Sequence, residues 1–377
     1  MLNTAGSPPS LVEIITGRPR PRHLRFAANI AELVPGAVLE RRDRSRLQRL
    51  RTNALGLLSG LRQASFADLD VPVILHQALA RASVPYAAEY DVPLAIHGYN
   101  YERYLKHVDK ARRLFEQDSL RMLFVFSEWA KRSFALHFGE AAAAKCALSY
   151  PLASQYADSA RETRKYDFTF IARGFRIKAG PELLRAFRTI RRSGAADAKM
   201  CVVTNLEEAS RRLGDLAAFE GVEWHDASLD EKAIATILND THCLIHPTLW
   251  ESFGVVLLEA LASGCAIITS NFASMPEMLS NDNGILLDVP VALVVGDLSI
   301  PQFNNAAHYA QLLDRLNLGG FQDEITAAML KMATDSAYRA QCRNKSRELY
   351  RRQFSPEAWK AAMRANLRAA FPRLVTN

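Results

Sequence analysis

The sequence predicts an α/β protein built as two doubly wound domains, and three observations carry that prediction. The chain has 377 residues, more than one compact core usually holds. Short apolar runs alternate with amphipathic helical segments along both halves, the pattern of a parallel sheet covered on both faces. A polar, aperiodic stretch from Ser154 to Lys165 separates the halves as a linker would. No apolar run approaches the ~20 residues that cross a bilayer. The first ten residues have neither the basic nor the apolar part of a secretion leader, so a cytoplasmic location is expected.

The elements follow in order. Leu11–Thr16 is a strand, Gly17 a turn, and about Leu24 to Leu33 a helix. Val71–His76 is the next strand, then a helix, a strand at Pro93–His97, a helix over Tyr101–Phe115 with Asn100 as its N-cap, and a strand at Met122–Phe126. Ser127 is the expected cap of the helix that follows. The second half opens with a strand at Asp167–Ala172 and a helix starting at Pro181, and continues with strands at Ala198–Thr204 and Cys243–His246. Val255–Ala262 is a helix closed by Gly264, Ala266–Thr269 a strand, and Ser355 to Phe371 a final helix. Val289–Gln311, apolar at Val289–Val295, fits none of these units and reads as an inserted edge, interface or membrane-facing patch.

Charge is uneven. Residues 1–150 hold 21 Lys+Arg against 14 Asp+Glu, whereas 151–377 hold 26 of each, so the whole net charge of +7 lies in the first half. Much of it sits in Arg18, Arg20 and Arg22 and in the run from Arg41 to Arg51. Such patches attract phosphate or an anionic membrane surface. No nucleic-acid reader motif accompanies them, so nucleic acid is not an expected partner. The five cysteines have no CxxC spacing and read as small buried hydrophobes, without a structural metal.

The most informative stretch is Pro247–Glu277. Glu251 and Glu259 are separated by seven residues, the first in the turn ahead of a helix and the second about two turns along it. The amides of Phe253, Gly254 and Val255 fall at the helix N-terminus, where unpaired N–H groups suit a polyol or a diphosphate. Taken alone, the two glutamates would be solvated helix-end charges contributing a few tenths of a kcal/mol. A second signal opens the second half: Arg173 and Lys178, five apart after a strand, stand where open α/β sheets bind ligands and could neutralise a diphosphate. Arg176 between them is either a third contact or a decoy.

The stretch resembles the donor-binding motif of the retaining GT-B glycosyltransferases, family 4 group. The likeness extends to Phe253-Gly254, Glu259-Ala260-Leu261-Ala262, Gly264, Pro276-Glu277 and Asn283-Gly284. The segment Arg173 to Gly180 is similar to the family's Gly-Arg…Lys-Gly loop, with Ala172 replacing a glycine and Ala179 inserted before Gly180. The resemblance implies two Rossmann-like domains facing across a cleft: residues 1–155 on the acceptor side, completed by a returning helix at 356–377, and 165–355 for the donor. It implies that Glu251 and the amides of Phe253, Gly254 and Val255 hold the donor sugar. Glu259 would bind the ribose, and Arg173 and Lys178 the diphosphate. His97 resembles the histidine that closes over the donor sugar, with His76 a weaker candidate.

Many relatives have a glycine-rich loop after the first strand. This chain has Gly17, Arg18, Pro19, Arg20, Pro21 and Arg22 there, one glycine and three arginines, a candidate site for an acceptor, a phosphate or a membrane.

The function implied is retaining transfer of a hexose from a nucleotide-diphosphate sugar to a glycan, lipid-linked or small-molecule acceptor, as in polysaccharide biosynthesis. No metal and no cofactor beyond the donor substrate are called for. The alternatives are a non-catalytic nucleotide-binding subunit and a sugar-nucleotide epimerase on the same fold. A dinucleotide oxidoreductase is disfavoured because no GxGxxG follows either opening strand.

Overall fold

The computed structural model describes residues 10–15, 21–41, 69–153, 163–279, 282–290 and 303–374. The chain divides into two compact units: residues 1–152, 298–305 and 356–377, and residues 153–297 and 306–355.

In the first unit the order is β1 (Leu11–Ile15), α1 (Pro21–Leu33), β2 (Ala37–Arg41), β3 (Val73–His76), β4 (Tyr86–Tyr90), a 3-10 turn (Pro93–His97), α2 (Tyr101–Phe115), β5 (Leu120–Val125), α3 (Glu128–Phe138), α4 (Glu140–Lys145) and β6 (Cys146–Leu148). The sheet is parallel, with strand order β2-β1-β3-β4-β5-β6. The chain winds outward from β1 to β2, then crosses back to β3 and continues the other way. The expected caps are present: Asn100 Oδ1 accepts the Arg103 amide at 2.9 Å and Ser127 Oγ accepts the Ala130 amide at 2.9 Å. The C-terminal helix, Pro356–Ala370, belongs to this unit. Its Trp359, Met363 and Leu367 join Phe26, Ile30 and Leu33 of α1 in one core, with the Trp359 and Phe26 rings edge-on at 5.3 Å.

Two expectations here were wrong. Pro93–His97 is not a strand, because Pro93 has no N–H for a ladder and fixes a helical φ; the turn ends at Gly98, left-handed at φ 70°, whose amide bonds to Ala95. The segment expected as a helix between β3 and Pro93 contains β4, Tyr-Ala-Ala-Glu-Tyr, buried throughout. Burial on both faces overrides the helix propensity of its alanines.

The second unit runs β7 (Tyr166–Ala172), α5 (Gly180–Ser193), β8 (Met200–Thr204), α6 (Leu206–Leu213), β9 (Val222–Asp226), α7 (Glu231–Asn239), β10 (Thr241–His246), α8 (Val255–Ala262), β11 (Ala266–Ser270), β12 (Gly284–Leu287), α9 (Ala306–Leu313), α10 (Gly319–Thr334) and α11 (Ser336–Leu349). A π-helical turn, Tyr350–Phe354, follows α11. This sheet too is parallel, in the order β12-β11-β10-β7-β8-β9. From β7 the chain winds to β9, then returns to β10 on the other flank of β7, so the winding reverses between β7 and β10. Sheets of this kind take ligands in the crevice at the carboxyl ends of the strands where the winding reverses. Among the described residues no helix is long and apolar enough to cross a membrane.

The segment 289–311 has two described parts. The Phe303 carbonyl accepts the Tyr101 amide at 3.2 Å, and Asn304 Oδ1 accepts the Glu102 amide at 3.2 Å, so these residues dock on the start of α2 in the first unit. From Ala306 onward the chain forms α9 of the second.

Candidate functional site

The loops after β7 and β10 meet at the reversal point of the second sheet. The Leu249 amide donates to the Ile177 carbonyl at 3.0 Å, tying one loop to the other, and Tyr309 Oη on α9 donates to the Leu249 carbonyl at 2.7 Å. That brace brings Lys178 to Glu251. The Lys178 Nζ lies 2.8 Å from Glu251 Oε2, 2.9 Å from Thr248 Oγ1 and 2.5 Å from the Trp250 carbonyl. The lysine side chain is 9 % exposed and the glutamate 22 %, so the pair sits at the boundary of the crevice with the carboxylate on the open side. Ala179, left-handed at φ 50°, turns the backbone so that the lysine points back toward β10 while α5 begins at Gly180.

The ionisation states follow from this packing. Burial alone would raise the Glu251 carboxyl, but the charge of Lys178 and the His246 ring beside it hold it well below the ordinary carboxylate range. Burial pulls Lys178 down against the upward pull of Glu251. His246, at the last position of β10, is 2 % exposed and its Nε2 stands 3.6 Å from Glu251 Oε2, too far for a hydrogen bond. Burial and then the Lys178 charge lower its pKa, so the ring is neutral at pH 7.

Glu251 also orders the turn behind it: its Oε1 accepts the Ser252 amide at 2.9 Å. Ser274 Oγ donates to the carbonyls of Ser252 at 3.1 Å and Phe253 at 3.4 Å, and the Phe253 ring is buried. Gly254 caps α8 at φ 78°, and a Cβ there would stand 3.2 Å from Leu257 Cδ1 and Met275 Sδ. Gly254→Ala is therefore expected to cost about 1–2 kcal/mol for the left-handed backbone and to re-aim the Val255 amide. Thermal unfolding checks the first effect and nucleotide binding the second. Glu259 lies on α8, partly exposed.

The cations of the β7 loop separate into two kinds. Arg173 is exposed and has no side-chain partner among the described residues. Arg176 is structural: Nε donates to Asp314 Oδ1 at 2.6 Å, Nη1 to Glu182 Oε2 at 3.2 Å and Nη2 to the Leu313 carbonyl at 2.7 Å. Arg176→Ala is expected to cost about 2–4 kcal/mol of stability, since it leaves buried Glu182 with only the longer Arg185 contact at 3.9 Å. Arg173→Ala should leave the melting temperature unchanged and weaken anion binding about 10-fold. Unfolding curves and nucleotide titrations of the two variants separate the roles.

In the first unit His97 is 1 % exposed, its ring edge-on to Tyr104 at 5.5 Å and stacked near Phe138 at 6.3 Å. His76 ends β3 between two carboxylates that the sequence reading did not connect to it. Its Nδ1 lies 2.5 Å from Glu89 Oε2 of β4, and its Nε2 lies 3.1 Å from Glu13 Oε2 of β1. All three side chains are buried. Arg22 Nε donates to His23 Nε2 at 3.3 Å and its guanidinium lies 5.2 Å from the centre of the Phe126 ring. Gly17, Arg18, Arg20 and the arginine run beyond Arg41 lie outside the described residues.

Sequence reasoning missed His246 and Thr248 as the surroundings of Lys178. The available signal was a histidine and a threonine flanking Pro247 at the end of an apolar strand.

Residues 165–330 match the family model of the glycosyl transferases group 1. A phosphatidyl-myo-inositol mannosyltransferase of Propionibacterium freudenreichii subsp. shermanii is 28% identical over 118 residues, covering 31% of this chain and 29% of that protein. The chain thus aligns with less than a third of that relative. Among solved structures, WaaG, a glycosyltransferase involved in lipopolysaccharide biosynthesis, superposes with a TM-score of 0.65 at 13% identity, covering 95% of this chain and 98% of its own. Anabaena HepE in complex with UDP and glucose superposes with a TM-score of 0.63 at 11% identity, covering 95% and 98%. Two parallel six-stranded sheets wound in this order are the GT-B fold, and within it residues 165–330 of this chain match the glycosyl transferases group 1 model.

Proposed function

We propose that the chain transfers a hexose from a nucleoside-diphosphate sugar to a glycan, lipid-linked or small-molecule acceptor, with retention at the anomeric carbon and without a metal. The observation that carries this reading is the buried Lys178 ammonium paired to Glu251 at 2.8 Å, at the reversal point of a group 1 domain. A cation there suits a diphosphate, and a neighbour of the same fold was solved with UDP and glucose.

In the reaction the bond from the anomeric carbon to the diphosphate oxygen breaks and one to the acceptor oxygen forms on the same face. The acceptor proton passes to the leaving phosphate oxygen. Lys178, Arg173 and the N-terminal amides of α8 stabilise the charge that develops on that diphosphate. Glu251 and the turn through Phe253, Gly254 and Val255 orient the sugar, and Glu259 takes the ribose hydroxyls. His97 and the arginines of residues 18–22 belong to the first unit and are assigned to the sugar and acceptor side. The basic excess of residues 1–150 favours an acceptor presented at an anionic membrane surface.

The test is incubation with UDP-, GDP- and ADP-hexoses, with and without lipid-linked and free glycan acceptors, reading released nucleotide and the anomeric configuration of the product by proton NMR. Retained configuration supports the reading. Tight nucleotide binding without turnover would make the chain a non-catalytic subunit, and sugar interconversion without acceptor would make it an epimerase.

A further inference from the structure

An ammonium has three N–H donors, and those of Lys178 are all engaged: Thr248 Oγ1 at 2.9 Å, the Trp250 carbonyl at 2.5 Å and Glu251 Oε2 at 2.8 Å. The residue assigned to the donor diphosphate therefore has all three donors engaged within the chain. For a phosphate oxygen to bind Lys178, one of the three acceptors has to leave.

The surroundings identify which. The Trp250 carbonyl is backbone and is further held by Thr248 Oγ1, which donates to it at 2.7 Å. Thr248 is buried, and its hydroxyl also accepts the Trp250 amide at 3.2 Å. Those two acceptors are interlocked. Glu251 is the remaining one, a side chain on the open edge, and the only anion of the three. Exchange of one anion for another leaves the charge on Lys178 matched, whereas a diphosphate added beside Glu251 would crowd two anions on one cation.

A displaced carboxylate needs another partner, and one stands ready. His246 Nε2 lies 3.6 Å from Glu251 Oε2, and neither ring nitrogen of His246 has a hydrogen-bond partner among the described residues. The backbone on that side is fixed, because the His246 carbonyl accepts the Thr248 amide at 2.8 Å and the Thr269 hydroxyl at 2.9 Å. Glu251 Oε1 remains anchored on the Ser252 amide at 2.9 Å while Oε2 shifts.

We propose that Glu251 is the resident counter-ion of Lys178 in the empty site, that a nucleoside diphosphate displaces it, and that His246 receives the displaced carboxylate. This rests on the donor-binding reading above. In it Glu251 acts twice: it neutralises the lysine before binding, and, released toward His246, it is free to meet the sugar. His246 is a positioning residue that acts through Glu251.

Calorimetric titration of UDP, GDP and ADP into the full-length protein tests the idea. Removing a competitor should tighten binding: Glu251→Gln is expected to lower the Kd of the nucleotide that binds the wild type about 5–10-fold, because the fraction of sites with an available lysine rises. Glu251→Ala, measured alongside, should do the same. The gain should vanish in a Lys178→Ala background. His246→Phe should weaken binding about 3-fold in the wild type and have no effect in the Glu251→Gln background, while His246→Gln, which keeps a donor, should restore it. Unchanged or weaker binding by both Glu251 variants would overturn the displacement. An unchanged Kd in His246→Phe would overturn the hand-over alone. A wild type that binds none of the three nucleotides would overturn the donor reading and this inference with it.

Discussion

Lys178→Ala should lower the rate of the transfer proposed above about 10²–10³-fold, the usual loss when one preorganised donor to a developing anion is removed. The effect belongs in kcat more than in KM, because charge on the diphosphate grows as the glycosidic bond to it breaks. Single-turnover release of the nucleoside diphosphate measures it. The variant also leaves Glu251 without its cation. For a fully buried pair that costs about 3–5 kcal/mol; Glu251 is 22 % exposed and water offsets much of the loss, so about 1–2 kcal/mol is expected. Lys178→Arg does not rescue, because a planar fork cannot reproduce three acceptors around one nitrogen. Wild-type turnover in Lys178→Ala would end the phosphate assignment. Glu251→Ala should lose turnover to a similar degree. Glu259→Ala, at the position proposed for the ribose, should act mainly through KM, since such contacts are the same in ground and transition states.

The largest stability effect is expected at His76. Replacement by phenylalanine keeps the ring volume but leaves the Glu13 and Glu89 carboxyls facing a hydrocarbon in the middle of the first sheet. A loss of about 3–5 kcal/mol follows, read by denaturant unfolding. The pH dependence is specific. Burial works to lower the His76 pKa, but Glu89 and Glu13 raise it to about 9, so its stabilisation is complete below 6.5 and fades as pH rises toward 9. Burial works to raise Glu89, but His76 carries it down to about 2, so its stabilisation is complete above 4.5 and fades as pH falls toward 2. Burial raises Glu13 despite His76, which adds a further loss of stability with rising pH. Two of the three groups thus favour the acid side, and stability should peak between about 4.5 and 6.5. Unfolding midpoints across pH 3–10 test this: His76→Phe should move the decline to lower pH, because burial then raises Glu13 and Glu89 with no cation between them and each costs stability as it ionises, and a wild type most stable above pH 8 would contradict the account.

Much of the fold could be read because its signals are local. The β7 loop, the α8 helix and the caps at Asn100 and Ser127 each declare themselves within a few residues. What failed was local evidence overruled by distant packing. Tyr86–Tyr90 contains alanines that favour a helix, and only burial between β3 and β5 makes it a strand. Pro93–His97 has the apolar content of a strand, and a five-residue apolar run cannot distinguish the two. The candidate site divides the same way. Glu251 and Lys178 stand out by residue type and spacing, but their meeting is a property of winding order, which joins residues 73 apart. His246 was hidden for the same reason. A histidine at a strand end reads as packing until the neighbouring loop delivers a carboxylate to it. The triad of Glu13, His76 and Glu89 left a faint trace, two glutamates inside otherwise apolar strands.

The helix Pro356–Ala370 supplies Trp359, Met363 and Leu367 to the core around α1. On the ribosome this inverts the ordinary order of maturation. The first unit emerges first but lacks one wall of its core until roughly 200 further residues have been translated, a delay of roughly 10–40 s. The second unit, interrupted only by a short excursion, can close before that wall arrives. The nascent first unit therefore spends that interval with Phe26 and Ile30 uncovered, exposed to chaperones and proteases. Substitutions at Trp359 are then expected to appear as low yield in cells, out of proportion to their effect on the purified protein.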